Sequence, residues 1–210
     1  MNVGDVLENP VTGMRVTVLR TPEETDGREV VIEYRLLPHT GRHYTHPHGH
    51  RRYVERFEIL AGRAGYVIGG VAGAAGAGET VVVPLNTIHV HPWSVSDEEL
   101  IVRHTTEAVT PDTQGLRNAL TAAGTLFALA REGKVNANGE ANALQMAVIF
   151  NDLLLPQSYA AGLPYGVQRM AFPLLAGVGR LLGYRAVLAG AATDGGRPAT
   201  ARGAASSGRL

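Results

Sequence analysis

HPHGHRRYVERFEILAG (46–62) and GETVVVPLNTIHVHPW (78–93) place His48, His50, Glu55 and His89 where strands could aim them at one point. Successive side chains of a strand point to opposite faces, so His48 and His50 share a face. Glu55 has the wrong parity for a straight strand, and a turn or bulge through Arg51, Arg52 and Tyr53 would restore it. Beyond Glu55, Phe57 and Ile59 alternate with Arg56 and Glu58, and Gly62 admits a tight turn. In the second segment Gly78 precedes a β-branched run, 80–83, that reads as a buried strand. Pro84, Leu85 and Asn86 are turn chemistry, with Asn86 able to enter the left-handed region. His89 opens the next extended stretch.

Three imidazoles and one carboxylate suit a borderline divalent cation: iron, manganese, nickel, cobalt, copper or zinc. Four protein donors on an octahedral ion leave two positions open, whereas a structural zinc site is closed and tetrahedral. Open positions imply catalysis or exchangeable ligand binding. His46 and His91 share strand parity with their neighbours. The spacing to Glu55 selects His48 and His50, which leaves His46 on the rim or behind the ligands, and His91 is expected as a solvent-facing or hydrogen-bonded residue that could also line the cavity. His43 and His104 carry no signal beyond composition. Tyr44, Tyr53 and Trp93 could wall a pocket, although aromatic residues in a barrel are more often plain core.

The two segments resemble the paired motifs of the cupin superfamily. His48, His50, Glu55 and Gly62 fit the first motif, and Gly78, Pro84, Asn86 and His89 fit the second. Three positions depart from the pattern. Arg42 stands where a glycine is expected, with Gly41 one residue early; Asn86 replaces the turn glycine; Trp93 replaces the closing asparagine. None of them is a presumptive ligand. The match covers residues 40–95, and family-like strands extend it to 1–108. The resemblance implies a mainly β, jelly-roll barrel holding one divalent metal on His48, His50, Glu55 and His89. It also implies a homodimer. Cupin chemistry is diverse, so the fold leaves the reaction open.

Composition bounds the alternatives. The 210 residues suit one domain with an appendage. Lys and Arg number 19 and Asp and Glu 19, so no basic footprint points to nucleic acid or to an anionic membrane. The chain has no cysteine, which excludes disulfides and thiolate ligands. MNVGDVLENP lacks the basic start and apolar run of a signal peptide, and Arg180 interrupts the nearest candidate for a membrane span. A cytoplasmic location is expected. Abundant Ala, Gly, Arg and Val suggest a GC-rich bacterial genome.

Three regions follow from the periodicity. Residues 1–110 read as short strands: 14–19, 29–37, the two motif segments and 100–106, with 69–78 a glycine- and alanine-rich connection. Residues 111–187 read as three helices packed on the barrel or at a dimer interface. Asp112 caps the first helix, which Gly133 stops; the second runs over 144–155 and ends at Pro156; the third runs over 165–182. In the third, Val167, Met170, Ala171, Leu174, Val178 and Leu181 form one stripe, and Pro173 could kink the helix. Residues 188–210 have the composition of a disordered tail. The resulting expectation is a metal-dependent small-molecule enzyme. Its leading version is an oxygenase for an enol, phenol or diketone, with His91 or Tyr53 as proton mover should the reaction be an isomerisation, elimination or dehydration instead. The competing class is a non-catalytic small-molecule-binding protein.

Overall fold

The computed structural model of the chain describes residues 1–43, 45–188 and 191. Tyr44 and nearly all of the expected tail lie outside the described residues. Strands β1 (Val6–Glu8), β2 (Arg15–Arg20), β3 (Glu29–Leu36), β4 (His48–His50) and β5 (Tyr53–Ala61) lead into β6 (Arg63–Ile68), β7 (Val71–Gly76), β8 (Thr80–Val83), β9 (His89–Ser94) and β10 (Leu100–Ala108). Helix α1 (Thr113–Arg131) follows, then α2 (Ala143–Ile149), a π-helical stretch (Phe150–Leu154), strand β11 (Ser158–Ala160) and helix α3 (Tyr165–Leu181).

The strands form two antiparallel sheets. One has six strands in the order β1-β2-β3-β10-β5-β8, and the other five in the order β11-β4-β9-β6-β7. Alternation sorts their side chains. In β5, Tyr53, Glu55, Phe57 and Ile59 are buried; in β10, Leu100, Val102, His104 and Thr106 are. One apolar core joins Phe57, Ile59 and Tyr34 of the first sheet to Ala64 and Ala75 of the second, so the sheets face each other. The buried Tyr34 hydroxyl spans the gap, donating to the Pro92 carbonyl at 3.1 Å. The architecture is a mainly β jelly roll with a C-terminal helical extension.

Two local expectations change. The stretch 69–78 contains a strand, β7, which pairs with β6 over its whole length. Its glycines serve packing: a Cβ at Gly73 would lie 2.4 Å from the ring of Tyr66. The second helix gives way to the π-helical stretch from Phe150 onward. Elsewhere the turn chemistry is as the residues dictate. Asn86 sits at φ 57°, and Gly62 at φ 76° with a Cβ-sized gap of only 2.6 Å to the Glu99 carbonyl oxygen. Asp112 caps α1, its side chain accepting from Gly115 N at 2.9 Å.

The helices cover one side of the barrel. Leu116 and Leu120 of α1 pack with Val30 and Tyr53, and Phe127 enters the barrel core. Strand β11 pairs antiparallel with β4, setting Ser158 opposite His50 and Ala160 opposite His48. A segment of the extension is thus an edge strand of the second sheet. Helix α3 continues through Pro173 and packs on α2.

Candidate metal centre

The parity of Glu55 is resolved by a change of sheet. After His50 the chain turns at Arg51 and Arg52, leaves the five-stranded sheet and enters the six-stranded one as β5. His48 and His50 on β4, with His89 and His91 on β9, therefore approach from one sheet, and Glu55 meets them from the other. Candidate donor atoms of His48, His50, Glu55, His89 and His91 all lie within 4.8 Å of one another. Glu55 is 3% exposed and His89 fully buried.

The contacts within this group are those of converging donors. His89 Nε2 is 2.7 Å from Glu55 Oε2, His50 Nε2 3.3 Å and His91 Nε2 3.5 Å. Yet His50 Nε2, His89 Nε2 and Glu55 Oε2 are buried without a hydrogen bond of acceptable geometry. Buried polar atoms left in this state are costly. A shared cation satisfies all three at once.

The far sides of the rings are held. His48 Nδ1 donates to the His46 carbonyl at 2.7 Å, and His89 Nδ1 to the Thr87 carbonyl at 3.1 Å. A carbonyl can only accept, so Nδ1 carries the proton and Nε2 presents its lone pair. His50 Nδ1 lies 2.8 Å from Ser158 Oγ, which can accept in the same way. His46 contributes its backbone here while its imidazole stays exposed, 3.8 Å from Glu140.

Behind Glu55 stands His104, a residue that composition alone did not single out. Its Nε2 is 3.0 Å from Glu55 Oε1, and its ring stacks on Phe57 with centroids 4.3 Å apart. Ionised Glu55 only accepts, so His104 Nε2 donates. One carboxylate oxygen is thereby anchored and the other turned to the histidines. The signal lay in the alternation of 100–106, which puts position 104 on the inward face with Leu100 and Val102.

Electrostatics favour the deprotonated forms of His48, His91 and Glu55 and the protonated form of His89. Burial, reinforced by His50, His91 and His89, holds the His48 pKa well below the usual histidine value. Burial likewise lowers His91, to about 4, despite the pull of Glu55. Burial opposes ionisation of Glu55, but His50, His91 and His104 outweigh it and keep the group well below the carboxylate range. For His89 burial is outweighed by Glu55 and the Thr87 carbonyl, and its pKa is raised. Burial and the Asp112 carboxylate push the Tyr53 phenol upward, and its hydroxyl donates to Asp112 Oδ2 at 3.2 Å.

A cavity of about 240 Å³ opens on this group. His48, His50, Glu55, His91, His104 and Tyr53 line one part; Leu7, Met14, Val16, Val30 and Ile32 line the barrel wall; Leu120, Leu126, Phe127, Phe150 and Leu154 roof it. His89 lies behind the others. Trp93 is outside the lining and takes the Arg42 guanidinium over its ring at 5.5 Å.

Two facing antiparallel sheets that bring both histidine segments onto one glutamate decide the fold. It is a jelly roll with the two motif segments placed as in the cupin pattern. Cupin domains of known structure resemble this chain at low identity. A cupin domain of Cnp3 from Schizosaccharomyces pombe matches with TM-score 0.39 and 9% identity over 50% of this chain and 68% of its own. A predicted oxalate decarboxylase from Thermotoga maritima matches with TM-score 0.44 and 15% identity over 51% and 93%. An uncharacterised double-stranded β-helix protein from Klebsiella pneumoniae matches with TM-score 0.39 and 15% identity over 53% and 84%. No family model matches the chain, and no curated protein does. The likeness to cupins therefore rests on the topology and on the donor cluster at the two motifs.

Proposed function

We propose that this cupin-like chain is a metal-dependent enzyme acting on a small, largely apolar molecule that presents oxygen atoms to the ion. The observation that carries this is the set of buried, unsatisfied donors at the wall of an apolar cavity. His48, His50, Glu55 and His89 would hold one divalent transition metal. His91 joins the same group through Nε2, which favours a ligand role over the proton transfer expected of it. When bound, the ion supplies Lewis acidity or a partner for dioxygen.

The chain's own residues set the rest. No lysine or arginine is among the described residues that line the cavity. A phosphate or a second carboxylate would be desolvated there without a partner, which disfavours such substrates. The volume exceeds the roughly 150 Å³ that takes benzene in an engineered apolar cavity. Leu120, Phe127 and Phe150 would grip the apolar body and exclude water. Tyr53, with its proton held by burial and Asp112, serves as a wall rather than a base near neutral pH. An enol, phenol or diketone meets these conditions, and oxygenation of such a compound is the leading version.

The test is metal analysis of the purified protein, followed by turnover of phenols and 1,3-diketones with and without dioxygen. Retained metal with oxygen-dependent turnover is expected. Turnover unchanged without oxygen would overturn the oxygenase version and favour isomerase, lyase or dehydratase chemistry. A native protein that holds no metal under metal-replete conditions would overturn the enzyme reading in favour of a binding protein.

A further inference from the structure

Helix α3 packs on α2 with one face and has a long apolar face that the described residues leave uncovered. Met170 is 75% exposed, Leu174 74% and Leu181 88%, with Val167 and Val178 each 48%. Leu175 and Leu182 flank them at 43% and 65%. A helix buried on both sides in its own fold shows no such stripe. Together these side chains present on the order of 700 Å², more than the largest apolar patch of an ordinary monomer and near the ~800 Å² each partner gives to a stable interface.

The spacing along the stripe names the occupant. Val167, Met170, Leu174, Val178 and Leu181 are separated by three, four, four and three residues, a pattern that reads the same in both directions about Leu174. An antiparallel copy of the helix therefore sets Val167 against Leu181, Met170 against Val178 and Leu174 against itself. That is the self-complementarity a two-fold interface needs. The flanking Arg180 is met by Asp152 of its own chain, so its charge is not left facing the partner alone. Residues 192–210 contain one large apolar residue, Leu210, and have little with which to cover the stripe themselves.

We infer that α3 is a dimerisation helix, pairing antiparallel with α3 of a second copy across a two-fold axis at Leu174. Sedimentation equilibrium of the full chain should give a dimer at micromolar concentration. Leu174→Glu, which sets two carboxylates against each other on the axis, should weaken it by about a hundredfold or more. Met170→Glu and Val178→Lys should each weaken it, and the double variant should recover, because the two positions meet only between chains. Since the chain has no cysteine, Leu174→Cys should yield a single disulfide-linked dimer on mild oxidation. A monomer at 100 µM (about the Kd of a ~5.5 kcal/mol contact) would overturn the proposal. So would a dimer that Leu174→Glu leaves intact with an unchanged circular dichroism spectrum, or flotation with anionic vesicles without self-association.

Discussion

Replacing His104 with leucine tests whether the carboxylate at the centre is held from behind. The imidazole donates to Glu55 Oε1 at 3.0 Å in a setting where both residues are buried. Leucine keeps apolar packing against Phe57 and removes the donor to Glu55 together with the 3.3 Å contact to Thr106 Oγ1. A buried hydrogen bond to a charged group contributes about 1.5–3 kcal/mol. Partners that orient a metal ligand typically matter by about 10–100-fold in affinity, or about 1.4–2.8 kcal/mol, so the two routes agree. Competition with a chromophoric chelator should therefore show His104→Leu binding Zn²⁺ or Mn²⁺ about 10–100-fold more weakly than the native protein. His104→Gln, which retains an N–H donor, should recover part of the loss. Thermal melts of the metal-free proteins separate the affinity change from a general loss of stability. An affinity within twofold of the native value would refute the idea that His104 sets the Glu55 carboxylate.

Five further outcomes follow from the same geometry. His89→Ala should abolish retained metal, since it removes a fully buried donor 2.7 Å from Glu55, and His91→Ala should lower it, since Nε2 belongs to the same group; elemental analysis checks both, and unchanged content in His91→Ala would show that this ring only lines the cavity. Because His89 is raised above the usual histidine pKa while His91 lies near 4, a proton on His89 competes with metal first: affinity should fall as pH drops through neutrality and proton release on binding should be measurable by calorimetry in buffers of different ionisation enthalpy. Gly62→Ala should cost about 2 kcal/mol or more, judged by chemical denaturation, because the residue has positive φ and its Cβ would press on the Glu99 carbonyl. Phe127→Ala should destabilise by about 3 kcal/mol and raise KM for apolar substrates more than it lowers kcat.

Much of this molecule was legible in its sequence because the relevant signals are local. The alternation in 53–61, the turn residues Gly62 and Asn86, and the cap at Asp112 each act within a few residues of themselves. The ligand candidates could be named from spacing for the same reason. What spacing could not supply was the identity of the sheet. Glu55 appears out of phase with His50 only if both are imagined on one strand, and the chain in fact crosses between sheets at Arg51 and Arg52. His104 lies 49 residues from Glu55 and Ser158 lies 108 from His50. Alternation puts His104 on the inward face, but no local pattern names the partner of either residue. Strand β7 escaped notice because glycine and alanine have weak strand propensity, and its pairing with β6 overrides that preference.

The helical extension is the part whose meaning changes most once the contacts are known. As a sequence it is three helices after a barrel, and its obvious use is assembly. In the fold it enters the candidate donor cluster at three levels. Strand β11 pairs with β4, the strand that carries His48 and His50, so the backbone of the histidine pair is held by residues 158–160. Ser158 Oγ sits on His50 Nδ1 and directs Nε2 toward Glu55. Phe127, Phe150 and Leu154 then roof the space in front of the donors. A bare barrel would leave β4 as an edge strand with unpaired backbone groups and a cavity open to water. The extension thus converts an exposed cluster of histidines into an enclosed one, where each electrostatic interaction is stronger because the surroundings are less polarisable. Through α3, the same segment would tie that enclosure to the pairing of two chains.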